Sequence, residues 1–323
     1  MKSNEELLDL VIIGAAAAGC AAAVYAARRG LNFVVIAKDI GGEVALSGEV
    51  ENWPGTIHTT GVQLAQDFHK HAVSYGVTVE QGYEVKGIAQ EKNYHIVQAE
   101  KTDGEKKEWR TKTVIIGSGI HPRMLGIPGE EKLKGRGVTY CTVCDGPLYK
   151  NKTTVTIGAG NSALESILMM AGIAKKVYVL TKYSDTKENQ GGFPRGERIL
   201  IDKMKKLPNV EIIYNADTKE ILGDTVVTGI EFEDLSGAAP QGRRRIEVQG
   251  VMVHIGMIPN STFAPVKKNP LGEIEIDITC RTSIAGIFAA GDVTIVQKQI
   301  AIAAGEGVKS ALAAIDYVNK WTE

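Results

Sequence analysis

The chain has 323 residues, 44% of them hydrophobic, and a formal net charge of −1. That length suits two domains with packed cores, and the near-neutral balance leaves no electrostatic footprint for nucleic acid or an acidic membrane. No apolar run approaches the ~20 residues that span a bilayer. The polar, acidic start MKSNEELLD reads as neither a secretory signal nor a transit peptide, so a cytoplasmic location is expected. There thiols stay reduced and lasting disulfides are rare.

The first apolar run, Leu10 to Ile13, ends at Gly14. AAAAGCAAAVYAARRG follows, rich in small residues and helix formers, and then LNFVVIAKD, a second β-branched run. Strand, tight turn, helix and strand make one βαβ unit. Its turn, Gly14-Ala15-Ala16-Ala17-Ala18-Gly19, keeps the outer glycines of G-x-G-x-x-G and has Ala16 at the middle one. Such a turn brings backbone N–H groups and a helix N-terminus to a pyrophosphate. The Ala16 methyl is expected to push the phosphates back or shift the backbone. Asp39 is the one candidate for a ribose-binding acid after the second strand. The competing reading is an Ala-rich helix packed on a sheet with no ligand.

Further along, GSGIHPR (117–123) and VMVHIGMIPN (251–260) read as crossings between domains. Between them stands GVTYCTVCDGPLYK (137–150), with Cys141 and Cys144 two residues apart and Asp145 directly after. Such a pair can clamp a metal, form a structural crosslink or cycle as a redox dithiol. Zinc takes four ligands, and neither a second cysteine pair nor a histidine lies close in sequence, so no metal site is expected. A reducing compartment argues against a crosslink, and two nucleotide turns in one chain favour the dithiol. Asp145 is placed to move the proton that thiolate chemistry releases, or to cap a turn with Gly146 and Pro147. The isolated Cys20 and Cys280 read as small buried apolar residues.

The βαβ pattern then recurs: TTVTIG (153–158), AGNSALESILMMAG and KKVYVLT. Its turn, Gly158-Ala159-Gly160-Asn161-Ser162-Ala163, fits G-x-G-x-x-A throughout. Thr181-Lys182-Tyr183-Ser184 after the second strand holds no carboxylate for a ribose; Lys182 could meet a 2′-phosphate, singly. YSDTKENQGGFPR, up to Arg195, reads as a mobile loop. Arg195 and Arg198 read as surface arginines, with a phosphate as the alternative. Arg243, Arg244 and Arg245 read as a solvated turn near a hairpin. At the end, TSIAGIFAAGDV (282–293) reads as a strand and turn. QIAIAAGEGVKSALAAIDYVNKW reads as a small-residue loop leading into a helix with Leu312, Ile315 and Val318 on one face. The expected fold is α/β with two nucleotide-binding, Rossmann-like domains, one inserted in the other: residues 1–116 and 250–323 form the outer one, 117–249 the inserted one.

GEVENWPG (48–55), GRGVTYCTVCDGPLY (135–149), GAGNSALE (158–165), HIGMIPN (254–260) and GIFAAGDV (286–293) together resemble the low-molecular-weight thioredoxin reductases, almost end to end. The resemblance implies an FAD domain interrupted by an NAD(P)H domain that carries Cys-x-x-Cys-Asp, in a homodimer whose inserted domain rotates. Gly117–Gly119 and Gly250–Gly256 are the hinges it suggests. It implies FAD binding by Gly14, Ala16, Gly19, Asp39, Gly42, Asn52, Gly291, Asp292, Gln299, Ile300 and Ala301. A nicotinamide dinucleotide would lie on Gly158, Gly160, Asn161, Ser162, Ala163 and Lys182. It also implies that Cys144 exchanges electrons with the flavin, that Cys141 attacks the disulfide of a thioredoxin-like protein, and that Asp145 is the acid–base group. Two departures bear on the donor. The family's His-Arg-Arg stretch with a further arginine is replaced by Thr181-Lys182-Tyr183 and a longer loop, and its Tyr-Arg-Gln by Gln297-Lys298-Gln299. NADPH, NADH and ferredoxin or another protein all stand as donors. The rival classes are a ferredoxin–NADP⁺ reductase of similar architecture, which lacks the dithiol, and a non-catalytic FAD redox sensor.

Overall fold

Leu10, Val11 and Ile12 are consecutive, so in a strand their side chains alternate between its two faces, yet all three are fully buried. Only a sheet covered on both sides accommodates such a run. In the computed structural model, which describes residues 6–47, 49–237 and 242–322, the strand Leu7–Ala15 lies inside a seven-stranded sheet. Residues 1–5 of MKSNEELLD and Gly48 of GEVENWPG lie outside the described residues. Leu7–Ala15 pairs in parallel with Phe33–Ile40 and with Lys106–Ile116. The other edge of the 11-residue Lys106–Ile116 serves two neighbours. Its first half pairs antiparallel with His95–Lys101, and its last residues pair in parallel with Ile287–Ala289. That junction joins the beginning and the end of the chain in one compact unit, up to His121 and from Ile258 onward.

On one face of this sheet, the helix Ala17–Arg28 packs on the helix Ile300–Asn319. The expected small-residue loop is therefore the first turns of that helix. Its buried face is Gly307, Ser310, Ala311, Ala314 and Ile315, whereas Leu312 is exposed. The seam uses small residues because the backbones nearly touch: a Cβ on Gly307 would lie 2.1 Å from Ala18 O.

The second unit, Pro122–Met257, has a five-stranded parallel sheet in the order Val138–Thr139, Gly250–Val253, Thr153–Ile157, Lys176–Leu180, Val210–Ile213. Gly250–Val253, expected to begin the outer domain's return, is an inner strand here with all its residues buried, and so cannot serve as a hinge. The chain leaves and re-enters along Ile120–Pro122 and Met257–Pro259, which pair as a two-stranded ribbon. Arg243–Ile246 is not a turn but the edge strand of a three-stranded antiparallel sheet. Its like charges are accommodated by acids across the sheet, with Arg243 3.4 Å from both Glu220 and Glu231.

The segment from Tyr183 to Arg195, read as mobile, is packed. The Thr181 hydroxyl donates to Gly192 O at 2.7 Å, the Phe193 N–H donates to Asn189 O at 2.8 Å, and the Phe193 ring has no solvent exposure. Among the described residues, no helix is long and apolar enough to cross a membrane. Deleting a buried ring costs about 3–5 kcal/mol, so Phe193→Ala is expected to lower the unfolding midpoint and open residues 182–197 to limited proteolysis. An unchanged cleavage pattern would contradict this anchoring role.

Candidate functional site

The first unit's site begins where Leu7–Ala15 loses register with its neighbour, between Ile13 and Ala15. Gly14 sits there at φ +108°, and a Cβ on it would lie 2.2 Å from Gly117 O. A Cβ on Gly19 would lie 1.8 Å from Gly14 O. Both glycines are thus required by backbone packing. Gly14 also lines a cavity, whereas Gly19 packs against the Gly14 carbonyl and does not line it. Ala16 is extended and precedes the helix Ala17–Arg28, whose first turn carries no side-chain cap and no acid. Its free N–H groups and dipole favour an anion. The Ala16 methyl faces Gly42, where a Cβ would stand 3.5 Å away.

The cavity has a volume of about 1130 Å³, above the ~300–1,000 Å³ of ordinary small-molecule sites and suited to a dinucleotide. Ala16, Asp39, Gly42, Asn52, Gly291, Asp292, Gln299 and Ile300 all line it, as expected from the sequence. Ala301 does not; it is exposed on the helix that starts at Ile300. Asn52 Nδ2 donates to Gln299 Oε1 at 3.1 Å across 247 positions of sequence. Asp39 Oδ1 accepts the Gly42 N–H at 3.2 Å and so shapes the turn that follows it. Burial, with Asp292 and Asp39 nearby, pushes the Glu43 carboxyl above its ordinary range, and burial does the same to Asp292. Carboxylates in such a cavity are acceptors suited to sugar hydroxyls.

Three supporting residues escape a reading of the sequence. Glu43 lines the cavity. Glu306, buried on the last helix, accepts the Gly291 N–H at 2.8 Å and fixes the turn that carries Asp292. Asn260 donates to Ser118 O at 2.8 Å and lies 2.5 Å from His121 Nδ1, holding the segment after Gly117. A lone acid in the small-residue run AIAAGEGVKSALAAI was the available signal for Glu306.

In the second unit, Cys141 and Cys144 form a disulfide. Cys141 precedes the short helix Thr142–Asp145, and its Sγ accepts the Cys144 N–H at 3.2 Å. Cys144 is exposed and Cys141 half-buried. Asp145 begins the 3₁₀ turn Gly146–Tyr149 without a side-chain cap bond, so the turn does not use its carboxylate. Just upstream, the Tyr140 hydroxyl donates at 2.7 Å to Glu130, a buried carboxylate that also accepts the Leu125 and Gly126 N–H groups. Burial and that carboxylate keep the Tyr140 phenol protonated. Thr142, between the cysteines, is buried, its Oγ1 lying 2.6 Å from Ser166 Oγ and 2.8 Å from His254 Nε2. Burial pushes His254 down to about 4.

The second glycine turn is built differently from the first. At Gly158, φ is +147° and a Cβ would lie 2.1 Å from His254 O, whereas at Gly160 the nearest neighbour, Arg195 Cβ, would be 3.9 Å away. Gly160 precedes the helix Asn161–Ala171 without a side-chain cap; Ala163 is buried and Ser162 exposed. Asn161, expected at a nicotinamide dinucleotide, donates to Glu197 Oε1 and accepts the Glu197 N–H, both at 2.7 Å. Lys182 is exposed, its Nζ 5.5 Å from the Tyr183 ring centre. Arg195 is exposed and bridges Gly160 through its backbone, and Arg198 is exposed beside Asp202.

The profile of the family described as pyridine nucleotide-disulphide oxidoreductase matches residues 8–316. The chain is 37% identical over 324 residues to an alkyl hydroperoxide reductase subunit of Escherichia coli (strain K12), covering 98% of this chain and 59% of that protein. It thus spans about three fifths of the length of the curated relatives it matches. Among solved structures it resembles thioredoxin reductase of Lactococcus lactis (TM-score 0.81, 29% identity, 97% of this chain and 99% of that one). It also resembles thioredoxin reductase of T. acidophilum (TM-score 0.78, 35% identity, 98% and 100%). A ferredoxin-flavin thioredoxin reductase from Clostridium acetobutylicum matches with TM-score 0.51 and 26% identity over 97% of this chain and 98% of that one.

The depressed His254 gives a signed pH dependence. The unfolded chain takes up its proton near 6.5 and the folded one only near 4. His254 therefore favours folding above pH 6.5, and stability is lost as pH falls through that window. Unfolding midpoints measured from pH 7 to 4 are expected to fall more steeply for the wild type than for His254→Gln; equal slopes would refute the assignment.

Proposed function

The chain belongs to the pyridine nucleotide-disulphide oxidoreductase family, and on that premise we propose that it is a thioredoxin reductase-like flavoprotein. It passes electrons from a donor through FAD to the Cys141–Cys144 disulfide and on to the disulfide of a thioredoxin-like protein. The observation that carries this reading is the Cys141–Cys144 disulfide, with Cys144 open to solvent, in a chain that also holds a dinucleotide-sized cavity.

The cavity fits FAD by the chemistry of its wall. The uncapped helix at Ala17 would meet the pyrophosphate, with Gly14, Ala16 and Gly42 beside it, and Asp39, Glu43 and Asp292 would accept from ribose and ribitol hydroxyls. Asn52 and Gln299, joined to each other, would hold the ring system. FAD bound there supplies two-electron redox chemistry. The rest is done by the chain's own thiols. Once the disulfide is reduced, the Cys141 thiolate attacks a partner disulfide, and one partner sulfur leaves as a thiolate that takes up a proton. The Cys144 thiolate then attacks Cys141 in the mixed disulfide, which re-forms Cys141–Cys144 and releases the partner as a dithiol. Asp145, adjacent to Cys144, takes the proton released when the attacking sulfur ionises and gives it to the leaving partner sulfur.

A nicotinamide dinucleotide at the Gly158–Ala163 turn is the first donor we assign. Lys182 and Arg195, both exposed, are the cations near it, and neither forms the paired arginine grip that would select NADPH over NADH. Ferredoxin is the second reading, favoured by Thr181-Lys182-Tyr183 in place of the arginines and by the likeness to a ferredoxin-flavin enzyme.

Cys144→Ser is expected to keep FAD bound, by its absorbance after gel filtration, and to abolish reduction of thioredoxin; retained turnover would sink the redox assignment. Anaerobic mixing of the holoenzyme with NADPH, NADH or reduced ferredoxin is expected to bleach the flavin with a nicotinamide. Bleaching by ferredoxin alone, at millimolar nicotinamide, would hand the role of donor to the second reading.

A further inference from the structure

Thr142 stands between the two cysteines. It is 4% exposed, and its hydroxyl stands between Ser166 Oγ at 2.6 Å and His254 Nε2 at 2.8 Å. A hydroxyl has one donor and two acceptor positions, so both contacts are satisfied together. Ser166 is buried on the helix Asn161–Ala171, and His254 directly follows the inner strand Gly250–Val253. Both elements contribute to the same packed core of the second unit. His254 is itself held on both sides. Its N–H donates to Ile157 O at 2.8 Å, and its carbonyl lies so close to Gly158 that a Cβ there would meet it at 2.1 Å. A second tie reaches the turn from upstream, where the Cys141 N–H donates to Thr139 Oγ1 at 3.1 Å.

We propose that Thr142, pinned by Ser166 and His254, is a positioning residue that holds Cys141 and Cys144 at bonding distance and thereby sets the reduction potential of the pair. The inference rests on the reading of Cys141–Cys144 as a redox couple. The chemical step is ordinary exchange: two thiols of a reductant such as glutathione become one disulfide while Cys141–Cys144 gains two electrons and two protons. In the reduced chain no covalent bond holds the cysteines together. The Thr142 contacts then supply the preorganisation that raises the effective concentration of one thiol at the other. Breaking a satisfied buried contact of this kind shifts the equilibrium toward the dithiol.

The test equilibrates the full-length holoenzyme with glutathione buffers of graded ratio, quenches with an alkylating agent, and counts reduced Cys141 and Cys144 by peptide mass. Thr142→Val keeps the shape and removes the hydroxyl. It is expected to lower the equilibrium constant for disulfide closure about tenfold, equivalent to about 30 mV toward easier reduction. Thr142→Ser restores the hydroxyl and is expected to titrate within twofold of wild type. His254→Ala breaks the same contact from the other side, and its shift is expected in the same direction even if Thr142→Val does not fold. A merely structural role would lower unfolding midpoints and leave the potential unmoved. No shift in either variant, or a shift toward the disulfide, overturns the inference alone while the wild type titrates normally. A wild type with no reversible dithiol–disulfide titration overturns the redox reading and this inference together.

Discussion

At Gly14 three stretches of backbone meet with no space for a side chain. The carbonyl of Gly117 lies where a Cβ on Gly14 would go, and the carbonyl of Gly14 lies where a Cβ on Gly19 would go. The first unit's site depends on this contact. It ends the central strand, turns the chain into the helix Ala17–Arg28, and leaves the first-turn N–H groups facing the cavity. The same closeness recurs on the far side of that helix, where Gly307 meets Ala18 and brings the last helix into place. Glu306, one residue earlier, is thereby buried beside Gly291 and holds the turn carrying Asp292. The small residues around the turn are required by its geometry, because any bulk would separate the parts that form the cavity.

The second unit repeats the motif with a different consequence. Gly158 is pressed against the carbonyl of His254, and the ring of His254 reaches Thr142 between the two cysteines. The glycine turn and the dithiol are thus neighbours through a single residue. A burial environment that keeps His254 neutral also keeps it a directional hydrogen-bond partner rather than a charge. The turn itself is partly occupied by the chain, since Asn161 is bound to Glu197. In the first unit, by contrast, the helix start at Ala17 has no side-chain cap.

Much of the fold was legible along the chain. The apolar run Leu10–Ile13 and the β-branched run Thr153–Ile157 declared strands, and the glycines after them declared the turns that follow. The lining of the cavity was legible through Gly14, Asp39, Asn52, Asp292 and Gln299, whose motifs are contiguous in sequence. Where the reading differed from the structure, packing outweighed local character. Polar composition suggested motion between Tyr183 and Arg195, but one buried ring, Phe193, fixes that segment. Of the bulky residues expected on the buried face of the last helix, Ile315 is buried but Leu312 is exposed, because much of the seam is made of glycine, serine and alanine. Gly250–Val253 looked like a crossing because a short apolar strand carries no mark of which sheet receives it.

By itself, the sequence determined the two βαβ units, the positions of both glycine turns and the pairing partners available to Cys141 and Cys144. These depend on periodicity and on residues a few positions apart, where the chain's own geometry limits the outcome. Only the tertiary structure decided which distant residues meet: Asn52 with Gln299, Glu306 with Gly291, Thr142 with Ser166 and His254. Such contacts follow from how sheets and helices pack in three dimensions. A hydrogen bond between side chains far apart in the chain leaves no periodic trace along it.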